Sequence, residues 1–495
     1  MAEPSRMNVL FLASEADPLI KIGGLGDVAG SLPRALLAIH RYNEAGQVVL
    51  DVRLVIPFHP AIRQKYPAPQ LVAQFTIHSK DKEIPVKAYL LDLNGLPVYL
   101  ISGAPIDQET GVYSLDLEAD GYKYVFFSLA ALQLAQELNW KPDILHANDW
   151  HTAAAVYSLA LRRPVDKFFS HTTSLLTVHN LPYLGSMTAT GLEAFGLPSA
   201  EDSDLPSWAQ QMALPLGLLA ADSIVAVSPG YAREILTEEY GSGLDGFLTA
   251  HQGKISGILN GLDTITWDPS TDQALTSRFN INTISDRKYN KSALQAELNL
   301  IIDEQVPILA MVTRMDPQKG VDLAVDAVRF LLHETRKASI PFQVVFLGTG
   351  NPVLEEAAHQ LEQDYPDQAR ARIKFDEQLS RRIYAGADAL LMPSRYEPCG
   401  LSQMIAMRYG CVPIAHATGG LRDSIHDPSH SDEPTGFLFE KADAKALVKT
   451  IQRALTRFSR YPEEWRQIQI NGMQQDFSWN HSAREYITKY KLLVG

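Results

Sequence analysis

Lys21, Gly23 and Gly24 stand together in KIGGLGDVAG, residues 21–30, a glycine-rich loop opening onto the helical pattern DVAGSLPRALLAI. Free backbone N–H groups at a helix start, the positive end of the helix dipole and a lysine beside them suit a phosphate. Gly24, Gly26 and Ala29 also spell G-x-G-x-x-A, the fingerprint of a dinucleotide turn. Two features count against a dinucleotide. The stretch SEADPLIKI separates the loop from the strand before it, and the next strand, VRLVIP, ends on Pro57 and Phe58 where an acidic residue for a ribose hydroxyl would stand. A phosphate cradle and a plain tight turn stay open on this loop alone.

Five further stretches place reactive side chains after strand-like runs. VTRMDPQKG (312–320) carries Arg314 and Lys319 on one loop, where a planar fork and a point charge can grip a diphosphate; a solvated basic pair is the plainer reading. SRYEPCGLSQM (394–404) follows Glu397 with a tight turn that exposes the amides of Cys399, Gly400 and Leu401 beside a carboxylate. Such a group can bind adjacent sugar hydroxyls and stabilise positive charge at an anomeric carbon, whereas a lone Glu can also be a helix cap. ATGGLRDSI (417–425) offers Gly419 and Gly420 after Thr418 as another amide pair for phosphate. His179 in TVHNLPYLG (177–185) and Asp149 in LHANDWH (145–151) end two more strands, positions equally open to structural roles.

These loops need strands to end where they begin. Strand-like runs occur at 8–13, 52–57, 86–93, 97–102, 143–148, 174–180 and 223–228, with an amphipathic helix at 122–138. A second series follows at 307–314, 342–348, 372–376, 389–394 and 412–417, alternating with helices at 321–336 and 352–365, and a terminal helix spans 477–493. The alternation predicts an α/β chain of two Rossmann-like, doubly wound domains facing across a cleft. Gly, Asn, Asp and Pro break the periodicity over 256–272, as in a hinge. The expected domains are 1–257, 258–476 and a helix, 477–495, packing back on the first.

At 495 residues, 46% hydrophobic and 20% charged, the chain has the composition of a soluble globular protein. Its formal charge of −13 opposes nucleic acid and anionic membrane surfaces, so anions must be held by a few local Arg and Lys side chains. The two cysteines, Cys399 and Cys411, have neither disulfide-framework nor metal-ligand spacing. The start, MAEPSRMNVLFLASEAD, lacks the pattern of a signal peptide, and MALPLGLLAA (212–221) is too short to span a membrane. A cytoplasmic protein that works without a metal or cofactor is expected; nothing in the chain signals an oligomeric state.

Taken together, KIGGLGDVAGSLPRAL, HANDWHTA, TVHNLPYLG, VSPGYAREI, GILNGLDTITWDPSTD, QKGVDL, FLGTG, RRIYAGADALLMPSRYEPCGLSQMIAMRYG, TGGLRDSI and FSW resemble, in order, the bacterial glycogen synthase and plant starch synthase family. The resemblance implies the GT-B fold and a retaining glucosyltransferase acting from ADP-glucose, less often UDP-glucose, on an α-1,4-glucan. It implies that Lys21, Gly23 and Gly24 meet the donor, that Arg314 and Lys319 bind its diphosphate, and that Glu397 and the amides of Cys399, Gly400 and Leu401 hold the glucose. His179 would contact that sugar, Asp149 and Asn260 would line the pocket, Phe375 would stack on the base, and Thr418, Gly419 and Gly420 would add contacts to phosphate. The sequence departs from the family pattern at Ile22, in the compressed GVYSLDLEADGYKY and at ALPLGLLA, all in the acceptor-handling half. A different acceptor, or a non-catalytic glucan-binding scaffold, are the readings those departures leave open.

Overall fold

The structure is a computed structural model that describes residues 6–41, 49–201, 203–335 and 340–495; Arg336, the expected last residue of one helix, lies outside them. The chain divides into two compact units, Met1–Gly261 together with Trp479–Gly495, and Leu262–Ser478.

The first unit holds β1 (Arg6–Leu12), β2 (Val49–Pro57), β3 (Gln70–His78), β4 (Glu83–Leu93), β5 (Leu96–Ser102), β6 (Ile144–Asn148), β7 (Thr173–Val178), β8 (Ser223–Ala226) and β9 (Ile255–Gly257). They form one sheet in the order β3-β4-β5-β2-β1-β6-β7-β8-β9. From β5 to β9 every pairing is parallel. The doubly wound expectation needs amending at one edge, where β4 pairs antiparallel with both β3 and β5. The cause is local: Asn94 and Gly95, both at positive φ, make the two-residue turn that reverses β4 into β5. β3 is a half-exposed strand that the sequence reading passed over.

The second unit holds β10 (Ile308–Val312), β11 (Gln343–Gly348), β12 (Ala369–Ile373), β13 (Ala389–Met392), β14 (Val412–His416) and β15 (Phe437–Phe439). Its sheet runs β12-β11-β10-β13-β14-β15, all parallel. Numbered from its own first strand this is 3-2-1-4-5-6, the doubly wound order of dinucleotide folds, and β5-β2-β1-β6-β7-β8 repeats it in the first unit. The strand expected at 372–376 ends instead at Ile373, because Asp376 caps the helix Glu377–Gly386 through the Leu379 amide at 2.9 Å. Likewise the helix expected from residue 122 starts at Leu117, capped by Asp116.

The core of the first unit lies under β1, β2 and β5 and takes in Trp479, Ala483, Tyr486, Ile487 and Tyr490 from the terminal helix Trp479–Val494. Tyr490 also shares a 2.6 Å hydrogen bond with the buried His146 of β6. Gly261 fits only as glycine there, since a Cβ would stand 2.6 Å from the Trp479 backbone. In the second unit, β10, β11, β13 and β14 bury their apolar faces against the helices Val321–Thr335 and Ala444–Arg460.

Candidate active site

In a doubly wound sheet the chain leaves the two central strands toward opposite sides, and a crevice opens beyond their carboxyl ends. In the second unit those strands are β10 and β13. The loop after β10 carries Arg314 and Lys319; the loop after β13 carries Ser394, Glu397, Cys399, Gly400 and Leu401.

The two loops are stapled to each other. The Arg395 amide donates to the Gln318 carbonyl at 2.8 Å, and the Gln318 side chain donates to the Tyr396 carbonyl at 3.2 Å. The Arg395 guanidinium bonds the Pro317 carbonyl and forks onto both oxygens of Asp322, at 2.9 and 2.6 Å. Gly320 closes the register: its φ is +67°, and a Cβ there would lie 2.1 Å from the Pro393 carbonyl. Held so, Lys319 Nζ donates to both Glu397 oxygens, at 2.9 and 2.7 Å, and Ser394 Oγ donates to Oε2 at 3.0 Å. Ser394 is held in turn by His416 of β14, whose Nδ1 meets its carbonyl at 2.8 Å. Glu397 is buried, and the helix-cap alternative for it fails because the next helix, Ser402–Arg408, starts five residues later at a cap formed by Leu401. Lys319, Glu397, Thr313, Ser394 and Gly400 border a cavity of about 50 Å³. Arg314 points to solvent with no ion pair or hydrogen bond from its guanidinium among the described residues.

The third glycine loop has a different local purpose from the one its sequence suggests. A Cβ on Gly419 would stand 2.2 Å from the Glu397 carbonyl, and one on Gly420 would stand 2.1 Å from that of Cys399. The Gly420 amide, expected to face phosphate, donates to the Glu397 carbonyl at 3.1 Å. The glycines thus let the loop after β14 lie directly on the Glu397 loop, with Thr418 buried behind them. Phe375 stands two residues beyond β12, its ring 87% exposed.

In the first unit the central strands are β1 and β6. The KIGG loop follows β1, and its amides are already engaged: Ile22 and Gly23 donate to the buried carboxylate of Glu15, the latter at 3.2 Å. Burial raises the Glu15 pKa, against the lowering by those amides. Glu15, which holds this loop in shape, is a residue that motif reading missed, since one acid past a strand has no spacing to mark it. Lys21 bonds Asp27 at 2.6 Å and is half-exposed, and Gly24, with open space around it, begins the helix Gly24–Arg41.

Asp149 follows β6 at φ +55°, ψ −172°, a backbone conformation that L residues rarely adopt. Its Oδ1 accepts from the His179 amide at 2.7 Å, which fixes the loop after β7, and burial raises its pKa to about 7. The His179 ring is fixed by Asn148. Asn148 Nδ2 donates to the Leu12 carbonyl at 2.8 Å, so its Oδ1 accepts from His179 Nε2 at 2.9 Å. Burial lowers the His179 pKa to about 3, leaving a neutral ring with a lone pair on Nδ1. Asn260 is buried after β9, and its Oδ1, like that of Asn180, has no hydrogen-bond partner among the described residues. The structure therefore gathers the predicted residues at two crevices, one in each unit, while Asn260 and Phe375 stand by other strands.

Among the described residues no group of His, Cys, Asp or Glu is placed to hold a metal ion, and no helix is long and apolar enough to cross a membrane.

The family described as the starch synthase catalytic domain matches residues 8–250, and glycosyl transferases group 1 matches residues 297–470. The chain is 38% identical to the glycogen synthase of Thermotoga maritima, covering 98% of each chain, and 41% identical to that of Aromatoleum aromaticum, covering 98% of this chain and 97% of that one. Its fold superimposes on the catalytic domain of starch synthase IV from Arabidopsis thaliana, bound to ADP and acarbose, with a TM-score of 0.84 and 31% identity over 99% of this chain and 100% of that one. With two doubly wound units, a lysine and glutamate paired at the switch point of the second, and this likeness along its whole length, the chain belongs to the glycogen and starch synthase family of GT-B glucosyltransferases.

Proposed function

We propose that this chain transfers glucose from ADP-glucose to the non-reducing 4-hydroxyl of an α-1,4-glucan, with retention of the α configuration, in the cytoplasm. The observation that carries the reading is the Lys319–Glu397 pair beside the uncommitted guanidinium of Arg314. ADP in the Arabidopsis starch synthase IV structure supports the nucleotide, and acarbose there supports a glucan acceptor.

Arg314 takes the diphosphate as a planar fork, and Lys319, with three N–H donors, keeps Glu397 while sharing a proton with the leaving phosphate. Charge building on the departing nucleotide meets these fixed cations. Glu397, with two partners already set, offers its remaining lone pairs to the glucose hydroxyls, beside the amides of Cys399, Gly400 and Leu401 in the turn before the helix Ser402–Arg408. Its negative charge stabilises the oxocarbenium-like transition state. Thr418, Gly419 and Gly420 act mainly by seating this loop. Phe375 stacks on the base, a contact that adenine and uracil both satisfy. Lys21, Gly23 and Gly24 serve the donor through an amide loop that Glu15 holds in shape. The His179 lone pair accepts a sugar hydroxyl, Asp149 fixes the backbone from which it acts, and the orphaned Oδ1 of Asn260 awaits a donor from the ligand.

The test is nucleotide release from ADP-glucose and UDP-glucose, each with glycogen, with maltooligosaccharides and with no acceptor. Release from ADP-glucose that needs glycogen and exceeds that of Glu397→Ala supports the reading. Equal release from both proteins sinks it, and glucan binding without turnover marks a scaffold.

A further inference from the structure

Two strands from β13, strand β15 forms an edge of the second sheet, and two cavities flank the helix Ala444–Arg460 beside it. One is about 510 Å³ and the other about 650 Å³; Ser429, Lys449 and Arg453 line both, so the two form a single groove.

The helix presents Lys445, Lys449, Arg453 and Arg457 at successive i,i+4 positions. Like charges at that spacing repel one another and oppose the helix. Such a row is unexpected in a chain of net charge −13 unless an anion offsets it. Two of the four have internal partners. Arg453 bonds Asp427 at 2.7 Å and Ser429 at 3.0 Å, and Asp427 also accepts the β15 edge amide of Leu438 at 2.7 Å, so this pair seals the strand edge. Arg457 pairs with Glu464. Lys449, at the waist of the groove, makes no ion pair among the described residues.

Of the three phenyl and phenol rings that line the groove, Phe437 and Phe439 are buried and Tyr461 is half-exposed beside a cation. The Arg453 guanidinium lies 5.6 Å from the centre of Phe437, whose ring also stacks on Trp465, and that of Arg457 lies 5.5 Å from the centre of Tyr461. A groove with cations laid over its rings offers charge and hydroxyls where a neutral glucan would need bare aromatic faces.

We infer that the groove between β15 and the helix Ala444–Arg460 is a second binding site, for a phosphate monoester of about hexose size, with Lys449 on the phosphate, Arg453 beside it while held by Asp427 and Ser429, and the Gln452 side chain and the lone pairs of the Thr456 hydroxyl turned to the sugar's hydroxyls. The site is separate from the donor site and does not depend on its reading.

The experiment is calorimetric titration of the full chain at low ionic strength with glucose 1-phosphate, inorganic phosphate and maltotriose, on the wild type and on Arg314→Ala, Lys449→Glu and Lys449→Met. Glucose 1-phosphate binding that survives Arg314→Ala and weakens about tenfold or more in both Lys449 variants supports the proposal, a tenfold loss being about 1.4 kcal/mol, the scale of one charge-assisted contact. Inorganic phosphate binding more weakly at the same site marks the sugar's contribution. The proposal is overturned if binding is absent, if it is lost in Arg314→Ala and kept in Lys449→Glu, or if maltotriose binds as tightly and ignores Lys449. Should Lys449→Glu unfold, the isosteric and uncharged Lys449→Met still decides.

Discussion

At the scale of single residues, the part-buried Lys319 pairs with the buried carboxylate of Glu397, and removing the lysine strands that charge. Lys319→Ala or Arg314→Ala is expected to lower kcat/KM by on the order of 10²-fold or more in a nucleotide-release assay, as loss of a preorganised charge contact does. Lys319→Ala should also lower the melting temperature, whereas Arg314→Ala, exposed and unpaired in the free protein, should leave it unchanged. Asp149 and His179 pull stability in opposite directions with pH. The folded-state pKa of Asp149, about 7, lies above its ordinary 3.8, so the stability it contributes is complete below pH 3.8 and is lost as pH rises toward 7. That of His179, about 3, lies below its ordinary 6.5, so its contribution is present above pH 6.5 and is lost as pH falls toward 3. Asp149→Asn keeps an acceptor for the His179 amide and removes the first effect. Urea titrations between pH 4 and 8 should then show the variant losing less stability than the wild type as pH rises, with no such change on Arg314→Ala.

At the scale of elements, three glycines set loop against loop, and their smallness is a packing requirement. Gly420→Ala puts a methyl group 2.1 Å from the Cys399 carbonyl. Overpacking of this kind costs about 1–3 kcal/mol, and because the displaced backbone carries Glu397, kcat should fall together with the melting temperature. Arg395→Ala is expected to lower kcat more than it raises KM, since it loosens the Lys319 loop without touching donor, a split that steady-state kinetics reads directly. These elements also mark how far the sequence was legible. Parallel strands with glycine loops at their carboxyl ends were readable because period, turn residues and strand ends coincide, as at Arg314 and Glu397. The β4–β5 reversal was written in Asn94 and Gly95 but passed unread, because two neighbouring apolar runs look alike in either direction. The partners of the amides were not readable at all. Which carbonyl accepts from Gly420, or which carboxylate from Gly23, depends on residues 23 and 8 positions away that no local pattern singles out.

At the scale of the molecule, each unit repeats the doubly wound strand order, and the terminal helix Trp479–Val494 completes the core of the first. Tyr490→Phe, which leaves buried His146 without its 2.6 Å partner, should cost about 1–3 kcal/mol in urea unfolding. Because the first unit is interrupted at Gly261 and resumed only at Trp479, it cannot be finished in the order in which it is made. On the ribosome, residues 262–478 emerge between its two parts, a delay of roughly 10–45 s at about 5–20 residues per second. Throughout that interval the strands β1 to β9 wait with the seat of Tyr486 and Tyr490 empty, while the later unit, unbroken in sequence, has all it needs to close first. The amino-terminal half of this protein is therefore the half exposed longest to chaperones and proteases at birth.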